Sequence, residues 1–178
     1  DYKNALLDLQ KSVLLDNQDS DKYMTLGYLK SFYLDQVESG LEDLNKSIKL
    51  NPENSLAYLF RGKANNFLSG KYYEDSDFQK VIQFSNASIN DFSQSIESYK
   101  DTFNPFYKRL FPFGYLHYLY GSRGRVKYNL GADYKNIRAI KNKELSKEFL
   151  NSSLSDFDLL IENAPTLEEV ENLKNPSK

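Results

Sequence analysis

The chain has 178 residues, 40% of them apolar and 27% charged, so it can bury roughly 70% of its extended surface and is not disordered by composition. With no cysteine and one histidine, His117, it excludes disulfides, zinc–thiolate sites, iron–sulfur clusters, thiol nucleophiles and paired-histidine metal motifs. The net charge of −2 is uneven: residues 1–104 carry −5, residues 105–147 carry +8 and residues 148–178 carry −5. No apolar run approaches the ~20 residues that span a bilayer.

The first predicted element is a helix over 2–16 with Leu6, Leu7, Leu9, Val13 and Leu14 as its apolar residues. It lacks a partner helix of its own. Either more chain precedes it or its face meets another molecule, and exposure of Leu6, Leu9 and Val13 would favour self-association. The start at Asp1, without methionine or a signal-peptide core, reads as a processed or excised product. The compartment is left unassigned: a cysteine-free chain fits the cytoplasm, the periplasm or the extracellular space.

This helix contains the first of four segments that align without gaps. They are Ala5-Leu-Leu-Asp8-Leu9-Gln-Lys-Ser12-Val13, Gly40-Leu-Glu-Asp43-Leu44-Asn-Lys-Ser47-Ile48, Ser88-Ile-Asn-Asp91-Phe92-Ser-Gln-Ser95-Ile96 and Ser153-Leu-Ser-Asp156-Phe157-Asp-Leu-Leu160-Ile161. Their apolar residues recur at steps of three and four, the stripe of an amphipathic helix. Each of the last three segments is followed by a stop at Pro52, Pro105 or Pro165. Each is also preceded by a second helical signature: Tyr23-x-x-Leu26-Gly27, Tyr58-x-x-Arg61-Gly62 and Tyr120-x-x-Arg123-Gly124. Glycine costs about 1 kcal/mol inside a helix, so these glycines are expected to serve close helix crossings. Gly70 and Gly131 are expected to cap the helices that carry the last two signatures.

The spacing of the repeated aspartates Asp8, Asp43, Asp91 and Asp156 stretches along the chain, and the extra residues fall mostly at 71–86 and 135–150. Phe78, Ile82, Ser85, Ile89, Phe92, Ile96 and Tyr99 keep helical phase, which predicts one helix of about 24 residues from near Asp75 that outruns its partner. Leu145, Phe149, Leu150, Leu154, Phe157 and Ile161 do the same in the last unit. Thr166-Leu-Glu-Glu169 is a capping box that starts a final helix.

This helix–turn–helix–Pro unit resembles the tetratricopeptide repeat, whose pattern is W-x2-L-G-x2-Y…A-x3-F…P. Tyr23, Leu26, Gly27, Gly40, Leu44 and Pro52 match it. So do Tyr58, Gly62, Ser88, Phe92 and Pro105, and Tyr120, Gly124, Ser153, Phe157 and Pro165. It departs in lacking tryptophan and in placing Lys30, Asn65 and Lys127 where the second tyrosine belongs. The resemblance implies an all-α, right-handed solenoid of helical hairpins. The units are a half repeat at 1–18, repeats at 20–52, 53–105 and 106–165, and a capping helix with tail at 166–178.

Little in the sequence suggests chemistry. Gly121-Ser122-Arg123-Gly124 matches no phosphate loop or nucleophile elbow and falls inside a helix. His117 begins an aromatic helix and reads as a packing residue. Glu74, Asp75 and Asp77 read as the acidic first turn of a helix rather than a cation site. The chain is therefore expected to be no enzyme and to hold no cofactor or metal. The basic block 105–147 is either a set of solvated lysines or a patch that attracts an acidic partner, and an overall acidic chain does not suggest nucleic acid.

In tetratricopeptide proteins the first helices line a groove that binds a peptide. The resemblance places Met24, Tyr28, Leu59, Lys63, Asn66, Phe67, Arg125, Tyr128 and Asn129 there. The expected function is non-catalytic protein–protein interaction as an adaptor or scaffold, with Lys63 and Arg125 favouring an acidic protein or peptide. The alternative is a structural or self-associating segment of a larger solenoid, joined through the N-terminal helix.

Overall fold

The computed structural model describes residues 1–100, 111 and 114–164. The predicted capping helix at 166–178, with Pro105 and Pro165, lies outside them. The described residues form seven α-helices and one short 3-10 turn, with no strand among them. The chain divides into two compact units at Tyr99/Lys100.

The first unit holds α1 (Tyr2–Leu15), α2 (Ser20–Tyr33), α3 (Val37–Leu50), α4 (Ser55–Glu74) and α5 (Phe78–Ser98). Helices α2 and α3 pair, as do α4 and α5, and α1 lies against α2. Local chemistry sets the boundaries. The Asp19 side chain accepts from the Asp21 and Lys22 amides to start α2, and Asn54 accepts from Ala57 N to start α4. Asp77 accepts from Lys80 N to start α5. Glu74 and Asp75 therefore end the preceding helix and do not form an acidic first turn.

The turns of these two hairpins each contain one residue in left-handed backbone, Asp35 at φ 53° and Ser76 at φ 59°. Gly70 is not the cap expected of it. It sits inside α4, with nothing within 4 Å of where a Cβ would stand, and the helix continues to Glu74. The extra residues of this hairpin are shared between both helices, 20 in α4 and 21 in α5 against 14 in each of α2 and α3. Helix α5 therefore does not outrun its partner. Tyr72 and Phe84 stack across the extended end with ring centroids 5.4 Å apart.

The helices approach closely. A Cβ at Gly27 would stand 2.5 Å from Leu44 Cγ and 2.7 Å from the Gly40 carbonyl oxygen. At Gly62 it would meet Asp91 Cβ and Phe92 at 3.2 Å. The facing stripe of α5 is therefore mostly short and polar, Ser85, Ser88, Asp91 and Ser95, with Val81 and Phe92 as its apolar members, all buried. The predicted apolar stripe of Ile82, Ile89 and Ile96 flanks that face and is only half-buried. Val37, Ala64 and Leu68 form a core cluster roofed by Phe32, Leu41, Tyr72 and Phe84.

The second unit holds α6 (Tyr115–Asn136), the 3-10 turn Arg138–Ile140 and α7 (Lys143–Glu162). Helices α6 and α7 form a third hairpin. Gly124 meets Phe157 and Asp156 as Gly62 meets Phe92 and Asp91. Gly131 is also inside its helix and not a cap: a Cβ there would stand 3.0 Å from Leu150 Cγ. Tyr134 and Phe149 stack at 5.9 Å. Leu154 and Ile161, expected on the core stripe, are exposed, while Ser146, Ser153 and Asp156 are buried.

Candidate functional site

The polar chemistry of the chain is concentrated at the hairpin crossings. In α4, Arg61 reaches the buried Asp91 of α5 with Nε 3.1 and 3.0 Å from the two carboxylate oxygens and a terminal nitrogen 2.6 Å from Oδ1. In the second unit Arg123 grips Asp156 with Nε at 3.1 and 3.0 Å and a terminal nitrogen at 2.5 Å. Both aspartates are 2% exposed. Each arginine also lies over the tyrosine one turn earlier, Tyr58 at 5.5 Å and Tyr120 at 5.6 Å.

The residue seven positions after that tyrosine completes the set. Asn65 donates to Asp91 at 2.9 Å, and Lys127 pairs with Asp156 at 2.9 Å. In the first hairpin Leu26 occupies the arginine position, and Lys30 alone holds Asp43, at 2.6 Å. Lys30, Asn65 and Lys127, which depart from the tetratricopeptide pattern in the sequence, are thus the partners of the three aspartates. The helical spacing of Arg61 and Asn65 against one aspartate was the signal that sequence reasoning missed.

A second crossing bond recurs at the helix starts. Ser20 Oγ donates to the Ser47 carbonyl at 3.1 Å, and Ser55 Oγ to the Ser95 carbonyl at 2.8 Å. His117 stands at the equivalent place, with Nδ1 2.9 Å from the Leu160 carbonyl. A carbonyl only accepts, so Nδ1 carries the proton and the imidazole ties α6 to α7. These carboxylates and the histidine are committed to holding helices together. Burial pushes the Asp91 carboxyl above its ordinary 3.8, against the opposing pull of Arg61 and Asn65. Among the described residues no group of three or more potential ligands is placed to hold a metal ion.

The expected groove residues divide by burial. Met24 and Leu59 are buried in the core at 6% and 0% exposure, so neither offers its side chain to a partner. The fold reason is that both face the neighbouring helices at the crossings. Tyr28 is half-buried, its ring 4.5 Å from Phe60 of α4 and its hydroxyl 2.9 Å from that of Tyr33. Lys63 lies over the Phe32 ring at 5.2 Å. Tyr2 of α1 extends the cluster by packing on Tyr33 at 4.4 Å. Phe60, Lys63 and Phe67 share one face of α4, and Phe67 is 53% exposed beside the exposed Asn66.

The first unit thus has an aromatic cluster, Tyr2–Tyr33–Tyr28–Phe32–Phe60, with Tyr2 and Tyr33 exposed, Phe60 buried beneath it, and Phe67 exposed two turns further along α4. Sequence reasoning had no signal for Tyr2 and Tyr33, because they meet only when α1 folds onto α2. In the second unit Arg125, Tyr128 and Asn129 are exposed on α6.

Leu6, Leu9 and Val13 are half-buried against α2, and the exposed apolar residues are Leu7, Leu14 and Leu15. No helix of the described residues is long and apolar enough to cross a membrane. No family model matches the chain, and comparison with curated proteins finds no match.

Proposed function

We propose that this chain is a non-catalytic interaction module, built of tetratricopeptide-like hairpins arranged as a right-handed solenoid, that binds a protein or peptide segment on its first helices. The observation that carries the reading is the aromatic cluster of α1, α2 and α4, where Tyr2 and Tyr33 are exposed, Lys63 lies over Phe32, and Phe67 is exposed further along α4. Tyrosine and phenylalanine bodies desolvate readily and lose little rotamer freedom, which makes them the common anchors of interfaces. The positive charge of Lys63, held over the Phe32 ring, favours an acidic residue in the bound segment. The polar residues that might otherwise serve catalysis, Asp91, Asp156 and His117, are occupied in crossing contacts.

The test replaces Phe67 by a photo-crosslinking phenylalanine and compares it with the same residue at Lys49. A partner crosslinked only from position 67 is purified, and its affinity is measured for wild type and for Phe67→Ser/Lys63→Glu. A loss of about tenfold or more at unchanged melting temperature supports the reading. Equal crosslinking from both positions, or unchanged affinity, rejects it.

A second reading, self-association through α1, rests on Leu14 and Leu15, exposed at 85% and 89%. It predicts a mass that rises with concentration in sedimentation equilibrium and returns to monomer in Leu14→Ser/Leu15→Ser.

A further inference from the structure

The basic block has two fates in the second unit. Arg123 and Lys127 are consumed by Asp156. Further along, Lys135, Lys141, Lys143 and Lys147, with Asn136, Ser146 and the stem of Leu150, line a cleft of about 550 Å³ at the tip of the α6–α7 hairpin. The tip is held in shape by Asn142, whose amide donates to the Tyr134 carbonyl at 2.9 Å and whose side chain accepts from the Glu144 and Leu145 amides at 3.1 Å.

No acidic side chain lines this cleft. Lys135, Lys141 and Lys143 have no ion-pair partner among the described residues, and Lys147 meets only Glu144 at 3.6 Å, in a contact where both side chains are mostly in water. The stems of four lysines border this cleft, and a multiply charged anion held among them gains attraction from each ammonium group, an attraction that water and salt weaken. The lining carries lysine and no arginine. Lysines act as point charges without the planar fork that reads a carboxylate, so this set suits a compact group of several negative charges. The cleft has the size of a small-ligand site.

We propose that the cleft at the α6–α7 tip binds a polyphosphate group, carried either by a soluble molecule or by a phosphorylated lipid headgroup. The site is independent of the aromatic face of the first unit.

The test titrates the full chain with inorganic tripolyphosphate by calorimetry at about 0.15 M salt, where weak surface attraction is largely screened. Saturable one-to-one binding is expected, weakened about tenfold in Lys141→Gln/Lys143→Gln and unchanged in Lys49→Gln/Lys71→Gln, which removes the same charge elsewhere. These lysines are exposed, so neither pair perturbs the core. Co-sedimentation with phosphatidylcholine vesicles containing phosphatidylinositol bisphosphate, competed by tripolyphosphate, assigns the group to a lipid. Tripolyphosphate binding without vesicle capture assigns it to a soluble ligand. The proposal fails if binding does not saturate, if both lysine pairs weaken it equally, or if a poly-glutamate peptide binds as tightly as tripolyphosphate.

Discussion

At Asp91 burial competes with charge pairing. The carboxyl has one arginine and one amide for company, and burial raises its pKa above 3.8. A group whose folded pKa is raised binds its proton more readily in the native state than in the unfolded one. Its contribution to stability is therefore full below 3.8 and is lost as pH rises through the raised value. The stability difference between wild type and Asp91→Asn should narrow over that rise when unfolding is followed by denaturant titration. A difference that widens would mean that Arg61 outweighs burial. Asp156 faces two cations, Arg123 and Lys127, whose side chains are 16% and 13% exposed. Asp156→Ala takes the shared carboxylate away from both and should cost about 3–5 kcal/mol, the usual penalty for breaking a buried pair. Chemical denaturation measures it, and a loss under about 1 kcal/mol, the worth of a surface pair, would contradict the buried assignment.

At the scale of helices, one residue type plays opposite parts. Gly27 sits where α2 and α3 touch, and an alanine there must push on Leu44 and on the Gly40 backbone. Overpacking of this kind costs about 1–3 kcal/mol. Gly70 faces open space inside α4. Gly70→Ala should instead stabilise by about 0.5–1 kcal/mol, because it restricts the unfolded chain and meets nothing. Melting temperatures of the two variants should move in opposite directions. The same close approach explains the serine-rich faces of α5 and α7. At the crossing made by Gly62 the short Ser88 side chain donates to the Gly62 carbonyl at 2.8 Å, a bond that an apolar side chain there would lose.

For the molecule as a whole, the division at Tyr99 gives the first unit its own core, with Leu44, Leu59, Leu68 and Phe92 all almost fully buried. Residues 1–99 expressed alone should give a helical circular dichroism spectrum and a single cooperative melt. A fragment that stays unfolded would show that this core depends on the rest of the chain.

The sequence by itself determined the helical class, the existence of the described helices and the places where they cross. Apolar steps of three and four and a repeated Tyr-x-x-x-Gly signature are local properties, readable without partners. It also marked Asp43, Asp91 and Asp156, though without a role. Only the tertiary structure decided what those aspartates hold, since Arg61 and Asn65 reach Asp91, and Arg123 reaches Asp156, across 26 to 33 residues of chain. It also decided that the extra residues lengthen both helices of a hairpin, because a helix grown alone would leave its new face without cover. The aromatic face was half legible: Tyr28, Lys63 and Phe67 were named through the tetratricopeptide resemblance. Tyr2 and Tyr33 join it, and Met24 and Leu59 leave it, through contacts between helices. Helical periodicity tells which residues share a side, and packing alone tells whether that side meets water.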